Sequence, residues 1–180
     1  VSPSQIDAKQ NLFFEVGEID VNIPDGTITE VRSAGLLCVP QGTFVIQSGH
    51  DAGLTANSQI PKYIIDELKK YNIKTTALNV GYTLRPIITK QDINSCLPHI
   101  WDIEAQQGEA FISINWQLAR KDDNFILFNL TTEGYEELLE PVKNGGRILI
   151  ESVWRENVRK LVTNEDFRLL ITLDATEKAP

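Results

Sequence analysis

Gly49, Gly53 and Thr55 stand within Ser48–Asn57, between a strand-like run at 43–47 and a helix-like run at 58–71. Glycines at a strand-to-helix turn free backbone N–H groups to wrap a phosphate, and a Thr hydroxyl there can hold a metal ion beside it. The loop departs from a P-loop. Gly49 and Gly53 are one residue too close, Leu54 stands where the Lys belongs, and Asp51 adds a negative charge. A G-x-G-x-x-G pattern is absent as well. The stretch reads as a degenerate P-loop with Gly49, Gly53 and Thr55 as its cofactor-binding candidates, or as a tight turn that holds no ligand. It names no cofactor. His50, with an unperturbed pKa near 6.5, is the candidate general base. Glu151 and Asp174 are the candidate carboxylates, because each follows an apolar run that reads as a strand. In open α/β sheets the ligand crevice lies at the carboxyl ends of the strands. If strand 43–47 runs parallel to the later ones, Gly49, His50, Glu151 and Asp174 face one edge. His99 follows Pro98 and reads as a structural residue at a helix start. Two His and two Cys without ligand spacing point to no metal site.

The elements that would position these residues fall into two parts. Residues 1–41 read as a β-rich N-terminal arm of short strands, with Pro24-Asp25-Gly26 and Pro40-Gln41-Gly42 as turns. Residues 42–180 read as an α/β domain. Ile60, Ile64, Leu68 and Tyr71 recur at helical spacing, and Asn72 suits a left-handed stop. A short strand at 84–89 carries Pro86, which suits an edge. Residues 90–106 read as two helices meeting near Pro98, 110–118 alternates as a strand does, and 132–143 reads as a helix with Glu133, Glu136, Glu137 and Glu140 on its outer side. Runs at 125–128, 147–151 and 167–173, with a second helix at 153–162, read as parallel strands joined by right-handed crossovers. The expected fold is α/β, a mostly parallel, Rossmann-like three-layer sheet over 42–180 preceded by the antiparallel arm.

Three resemblances follow from short stretches. Ile148-Leu149-Ile150-Glu151 followed by Phe167–Thr172 resembles the acidic and sensor strands of AAA+ ATPases. Glu136–Ile150, with Gly145-Gly146, is similar to the late part of Rossmann-type methyltransferases and to the γ domains of 2-oxoacid:ferredoxin oxidoreductases. Each covers under half of the chain, and none carries a catalytic residue over.

Composition bounds the function classes. A chain of 180 residues with 42% apolar and 23% charged content suits one domain with one core. The net charge of −8 and scattered basic residues exclude nucleic acid as a first partner. No apolar run is long enough to span a bilayer, and no membrane partner is expected. A chain that starts with Val and has no Met reads as processed or as cut from something larger. Cys38 and Cys96 each sit among apolar residues and read as buried free thiols, which points to a reducing, cytoplasmic setting. The leading expectation is a non-catalytic packing or docking domain, a degenerate nucleotide-binding-type scaffold that joins protein partners or its own copies. The rival is a ligand- or cofactor-binding enzyme using the crevice near Gly49, His50, Glu151 and Asp174.

Overall fold

One long strand organises the molecule. The computed structural model describes residues 12–47, 59–73, 75, 81–98 and 105–172. β5 (Tyr82–Leu97) is flanked on one side by β6 (Ala105–Arg120), and β6 by β7 (Ile126–Lys143). Both ladders are antiparallel and run nearly the full strand length. On its other side β5 meets three pieces of the N-terminal segment in succession, all parallel to it. These are β1 (Phe14–Val16), β2 (Asp20–Val21) and β3 (Ile28–Ala34). β4 (Val39–Val45) turns back antiparallel on β3 and ends the sheet. Three helices, α1 (Ile60–Lys70), α2 (Gly145–Thr163) and α3 (Glu165–Thr172), complete the described elements. α2 packs on β6 and β7, and α1 and α3 pack on α2.

The expected parallel, Rossmann-like three-layer sheet is therefore corrected. The protein is α/β with a mixed, mostly antiparallel sheet, and its described helices lie against one face. Short apolar runs do not distinguish a covered strand from a buried helix. Residues 147–151 and 153–162, expected as strand and helix, are one helix, because Leu149, Val153, Asn157 and Leu161 fall four apart and are all buried. Residues 167–171, expected as a strand, lie in α3, whose Phe167 closes the core against Phe14 and Phe128. The reverse error occurs at 132–143. There burial alternates with period two, Thr132 and Gly134 inward and Thr131, Glu133 and Tyr135 outward, and the chain continues β7. Residues 90–97, expected as helix, finish β5; Thr83, Ile87, Ile88, Thr89 and Ile93 give it the β-branched content that suits a pleated surface. Pro86 does not mark an edge strand. It falls in the gap between the β1 ladder, which stops at Leu84, and the β2 ladder, which starts at Ile87.

The core fills the space between helices and sheet. Trp116 on β6 and Trp154 on α2 meet edge to face, with ring centroids 6.2 Å apart. A buried polar chain crosses the same layer. Trp116 Nε1 donates to Thr132 Oγ1 (2.8 Å), which donates to Asn157 Oδ1 (2.6 Å); Asn157 Nδ2 donates to the Ile112 and Val153 carbonyls. Gly134 admits this contact, since a Cβ there would sit 2.5 Å from the Val153 oxygen.

Cys38 and Cys96 form a disulfide, which corrects the free-thiol reading and the cytoplasmic placement drawn from it. Structural disulfides belong to oxidising compartments. Each Cys taken alone looks like a buried thiol. The fold brings them together because the β3–β4 turn docks on the end of β5, where Gly35 N–H donates to the Leu97 carbonyl (3.0 Å).

Candidate functional site

The residues expected to act together do not form an observed set. Gly49, His50, Gly53 and Thr55, with the degenerate P-loop they define, and Asp174 lie outside the described residues. So does His99. Glu151 lies in the second turn of α2 rather than at a strand end. Arg147 Nε stands 3.8 Å from its carboxylate, and its main-chain carbonyl accepts from the Tyr63 hydroxyl (3.1 Å). Glu151 lines a cavity of about 510 Å³ between the first turns of α1 and α2, together with Ile60, Lys62, Tyr63, Arg147 and Ile150. Below it the carboxylate of Glu67, itself buried, meets Lys70 and Arg155. Burial, then the charge on Glu67, pushes the Tyr63 hydroxyl up from its ordinary value. Arg155 is likewise raised, first by Tyr63. Tyr63 is thereby kept protonated and Arg155 charged, which suits holding a position rather than transferring protons.

A second place has a different character. At the end of the sheet where β5 finishes, the β3–β4 turn projects Leu36 and Leu37, which are 81% and 87% exposed. The turn cannot swing freely. Cys38, at φ +47°, is bonded to Cys96, and its N–H donates to the Gly35 carbonyl (2.9 Å). Across the same end, β7 takes extra residues between Leu138 and Val142 against Gln106–Gly108 of β6. A bulge of this kind ejects a side chain from the sheet, and here it ejects Leu139, 79% exposed. Val39 and Val142 add further exposed apolar surface. Between Cys38 and Leu139 a shallow trough of about 370 Å³ crosses the strand ends.

The trough floor is polar and ordered. Glu109 accepts from Asn94 Nδ2 (3.0 Å) and from the Tyr135 hydroxyl (3.0 Å). That hydrogen bond to Glu109, followed by the cost of burial, holds the Tyr135 hydroxyl above its ordinary pKa. Gly108 forms the floor at φ +145°; a Cβ there would lie 2.0 Å from the Asn94 oxygen. The result is a fixed shape with apolar projections around a hydrogen-bonded floor, which suits recognition of another surface. The sequence carried a faint signal of it in two adjacent leucines between Gly35 and Cys38, a turn where apolar side chains have no core to enter.

The sheet edges, by contrast, are blunted. β4 contains Pro40 and pairs with β3 through two register shifts. β7 has irregularities near both ends, four glutamates, and Lys160 Nζ donating to the Glu133 carbonyl (2.6 Å). Proline, bulges and charge are the features that discourage strand addition. Among the described residues no group of three or more His, Cys, Asp or Glu side chains could hold a metal, and no helix is long and apolar enough to cross a membrane.

No family model matches the sequence, and no curated protein matches it. Among solved structures, a candidate lipoprotein from Caulobacter crescentus is similar at 11% identity, over 66% of this chain and 87% of that one, with a TM-score of 0.42. A Xanthomonas campestris protein aligns at 12% identity over 89% of this chain and 87% of its own, with a TM-score of 0.38. PelC from Paraburkholderia phytofirmans, described as a dodecamer, aligns at 12% identity over 81% of this chain and 86% of that one, with a TM-score of 0.37. These likenesses are too loose to transfer a site, a partner or an activity.

Proposed function

We propose that this chain is a non-catalytic docking domain, a building block that joins other protein through the disulfide-locked end of its sheet. The observation that carries this reading is the set of exposed leucines, Leu36, Leu37 and Leu139, around one rigid trough. Exposed apolar clusters on a soluble surface mark interaction sites. The blunted edges add support, because they leave side-chain contact rather than strand addition as the mode of association. Leu36→Asp with Leu37→Asp tests it, since neither side chain is part of the core. Wild-type and variant chains are compared by light scattering and by co-purification from source cells. The wild type is expected to retain a partner, its own copy or another protein, that the variant loses. A monomeric wild type whose co-purifying proteins are identical to the variant's removes the reading.

A second reading rests on the α1–α2 cavity. Gln59 and Ile60, which follow residues 48–58 directly in sequence, line it with Glu151. A cavity of this size suits a small ligand. Under this reading Gly49, His50, Gly53, Thr55 and Glu151 belong to one binding site. A thermal-shift screen with nucleotides, S-adenosylmethionine and coenzyme A tests it, because a tight ligand raises the melting temperature by mass action. No shift across the panel removes it.

A further inference from the structure

We infer that the Cys38–Cys96 bond is a redox switch on the docking surface: a dithiol reductant opens it from the trough, the Leu36–Leu37 turn comes loose, and docking is lost while the fold remains. The inference rests on the docking reading above and gives that surface its regulation. Both cysteines line the trough, and neither belongs to the apolar core between helices and sheet. The two sulfurs are not equivalent. Cys38 is partly exposed, whereas Cys96 is only 5% exposed. An incoming thiolate therefore meets Cys38 first. It bonds to Cys38 Sγ, the bond between the two protein sulfurs breaks, and Cys96 leaves as a thiolate. That thiolate takes up the proton that the reductant's first thiol gave up. Cys96 Sγ lies 3.8 Å from the Gly35 carbonyl, which can accept from the new thiol. The reductant's second thiolate then attacks the first, bound sulfur, and Cys38 leaves and is protonated in turn. Two electrons pass to the protein, both cysteines end as thiols, and the dithiol ends as a disulfide.

The bond holds the turn in a conformation that a free chain disfavours. Cys38, at φ +47°, occupies the left-handed region that residues with a Cβ rarely adopt. Leu36, Leu37 and Val39 are exposed and add no core packing. Without the bond, the described hydrogen bonds tying the turn to its neighbours are Gly35 N–H to the Leu97 carbonyl (3.0 Å) and Gln107 Nε2 to Cys38 Sγ (3.5 Å). Sulfur is a weak acceptor, so the second adds little. The strand before the turn is held differently. β3 is paired on both sides, with β4 and with β5, and both ladders reach Ala34. Reduction therefore frees the Gly35–Cys38 turn and leaves the sheet paired. The effect on the trough is direct, because Cys38 lines one side of it and Leu139 the other. A loose tip must be ordered on binding, at an entropic cost that the locked tip avoids.

The test uses the full-length chain without denaturant. Dithiothreitol should reduce the bond and leave the circular dichroism unchanged. Chymotrypsin cleavage after Leu36 and Leu37 should then rise by about tenfold or more, the scale set by relaxing one left-handed residue. Cys38→Ser with Cys96→Ser should be cut as fast as the reduced chain, with no reductant present. Glutathione in place of the dithiol should leave a mixed disulfide on Cys38, read by peptide mass. A partner that the oxidised wild type retains on co-purification should be lost from the double serine variant. A bond that is reduced only in urea overturns the inference, as does a reduction that unfolds the core or leaves cleavage at the turn unchanged. A glutathione adduct on Cys96 overturns the direction of attack. If Leu36→Asp with Leu37→Asp keeps the same partners as the wild type, the docking reading fails whatever chymotrypsin shows. If that variant loses a partner that the double serine variant keeps, the docking reading stands and the switch is overturned.

Discussion

Reducing the Cys38–Cys96 bond removes one covalent link and leaves both side chains in place, so its effect can be estimated from the chain alone. The bridge closes a loop with a sequence separation of 58. Loop-closure entropy for that length is about 14 cal/mol/K, which corresponds to about 4 kcal/mol of stability at 25 °C. For a chain of this size each kcal/mol moves the melting temperature by about 2–4 °C. Reduction should therefore lower it by about 8–16 °C. The assay is thermal and urea unfolding with and without reductant at one pH, each followed by tryptophan fluorescence. Trp116 and Trp154 are both buried and report loss of the core. The midpoint should fall and the denaturant slope should rise modestly, because the reduced unfolded chain exposes more surface. Thiol titration of the urea-unfolded, unreduced protein should find no free sulfhydryl. Two titratable thiols would refute the bridge, and an unchanged midpoint would refute the loop-entropy account of its contribution.

Asn157→Ala removes the acceptor of the Thr132 hydroxyl and two donated bonds from a fully buried site. A loss of about 2–4 kcal/mol is expected by denaturant titration. Gly134→Val drives a side chain into the Val153 carbonyl and the Asn157 amide. Its cost should exceed about 3 kcal/mol, and soluble yield together with the melting curve will show it. Glu15 is held below its ordinary pKa chiefly by its hydrogen bond to Lys121 (2.7 Å). The folded value is depressed, so the stabilisation is present above the unfolded value near 4.5 and is lost as pH falls through the folded one. Lys121→Met should thus be slightly less stable than wild type at about pH 7 and equal to it at about pH 2, as urea midpoints at both pH values will test.

How much could be read from the sequence depends on how local the deciding contact is. The helix at Ile60–Lys70 and the left-handed Asn72 after it were legible, because helical periodicity and an asparagine stop are local signals. The alternation at 110–118 located part of β6 for the same reason. The runs at 148–150 and 125–128 have similar composition, yet the first is a helix interior and the second belongs to an edge strand. Only their packing partners distinguish them: Trp154 and Val153 continue one face of α2, while Phe128 pairs with Leu118. Glu133, Glu136, Glu137 and Glu140 also fit the exposed side of a helix, and no local feature reports that β6 lies alongside. The disulfide depended on a contact 58 residues apart. Of the expected site, Glu151 was placed on a strand that does not exist, and the exposed tip was missed because apolar residues are ordinarily assigned to the core.

The three-piece edge formed by β1, β2 and β3 along β5 bears on the order in which the chain folds. β5, β6 and β7 follow one another and pair with their sequence neighbours, so they can assemble without long loop closure. The parallel partners of β5 must return over about 60 residues, since Glu30 pairs with Ile93. Until they do, one side of β5 is an open row of main-chain donors and acceptors beside apolar residues. β1, β2 and β3 are thus the cover that retires an aggregation-prone edge late in folding. Amides of β6 should gain hydrogen-exchange protection before those of β3 during refolding, and a chain starting at Gly35 should precipitate. Equal protection rates in the two strands would contradict that order.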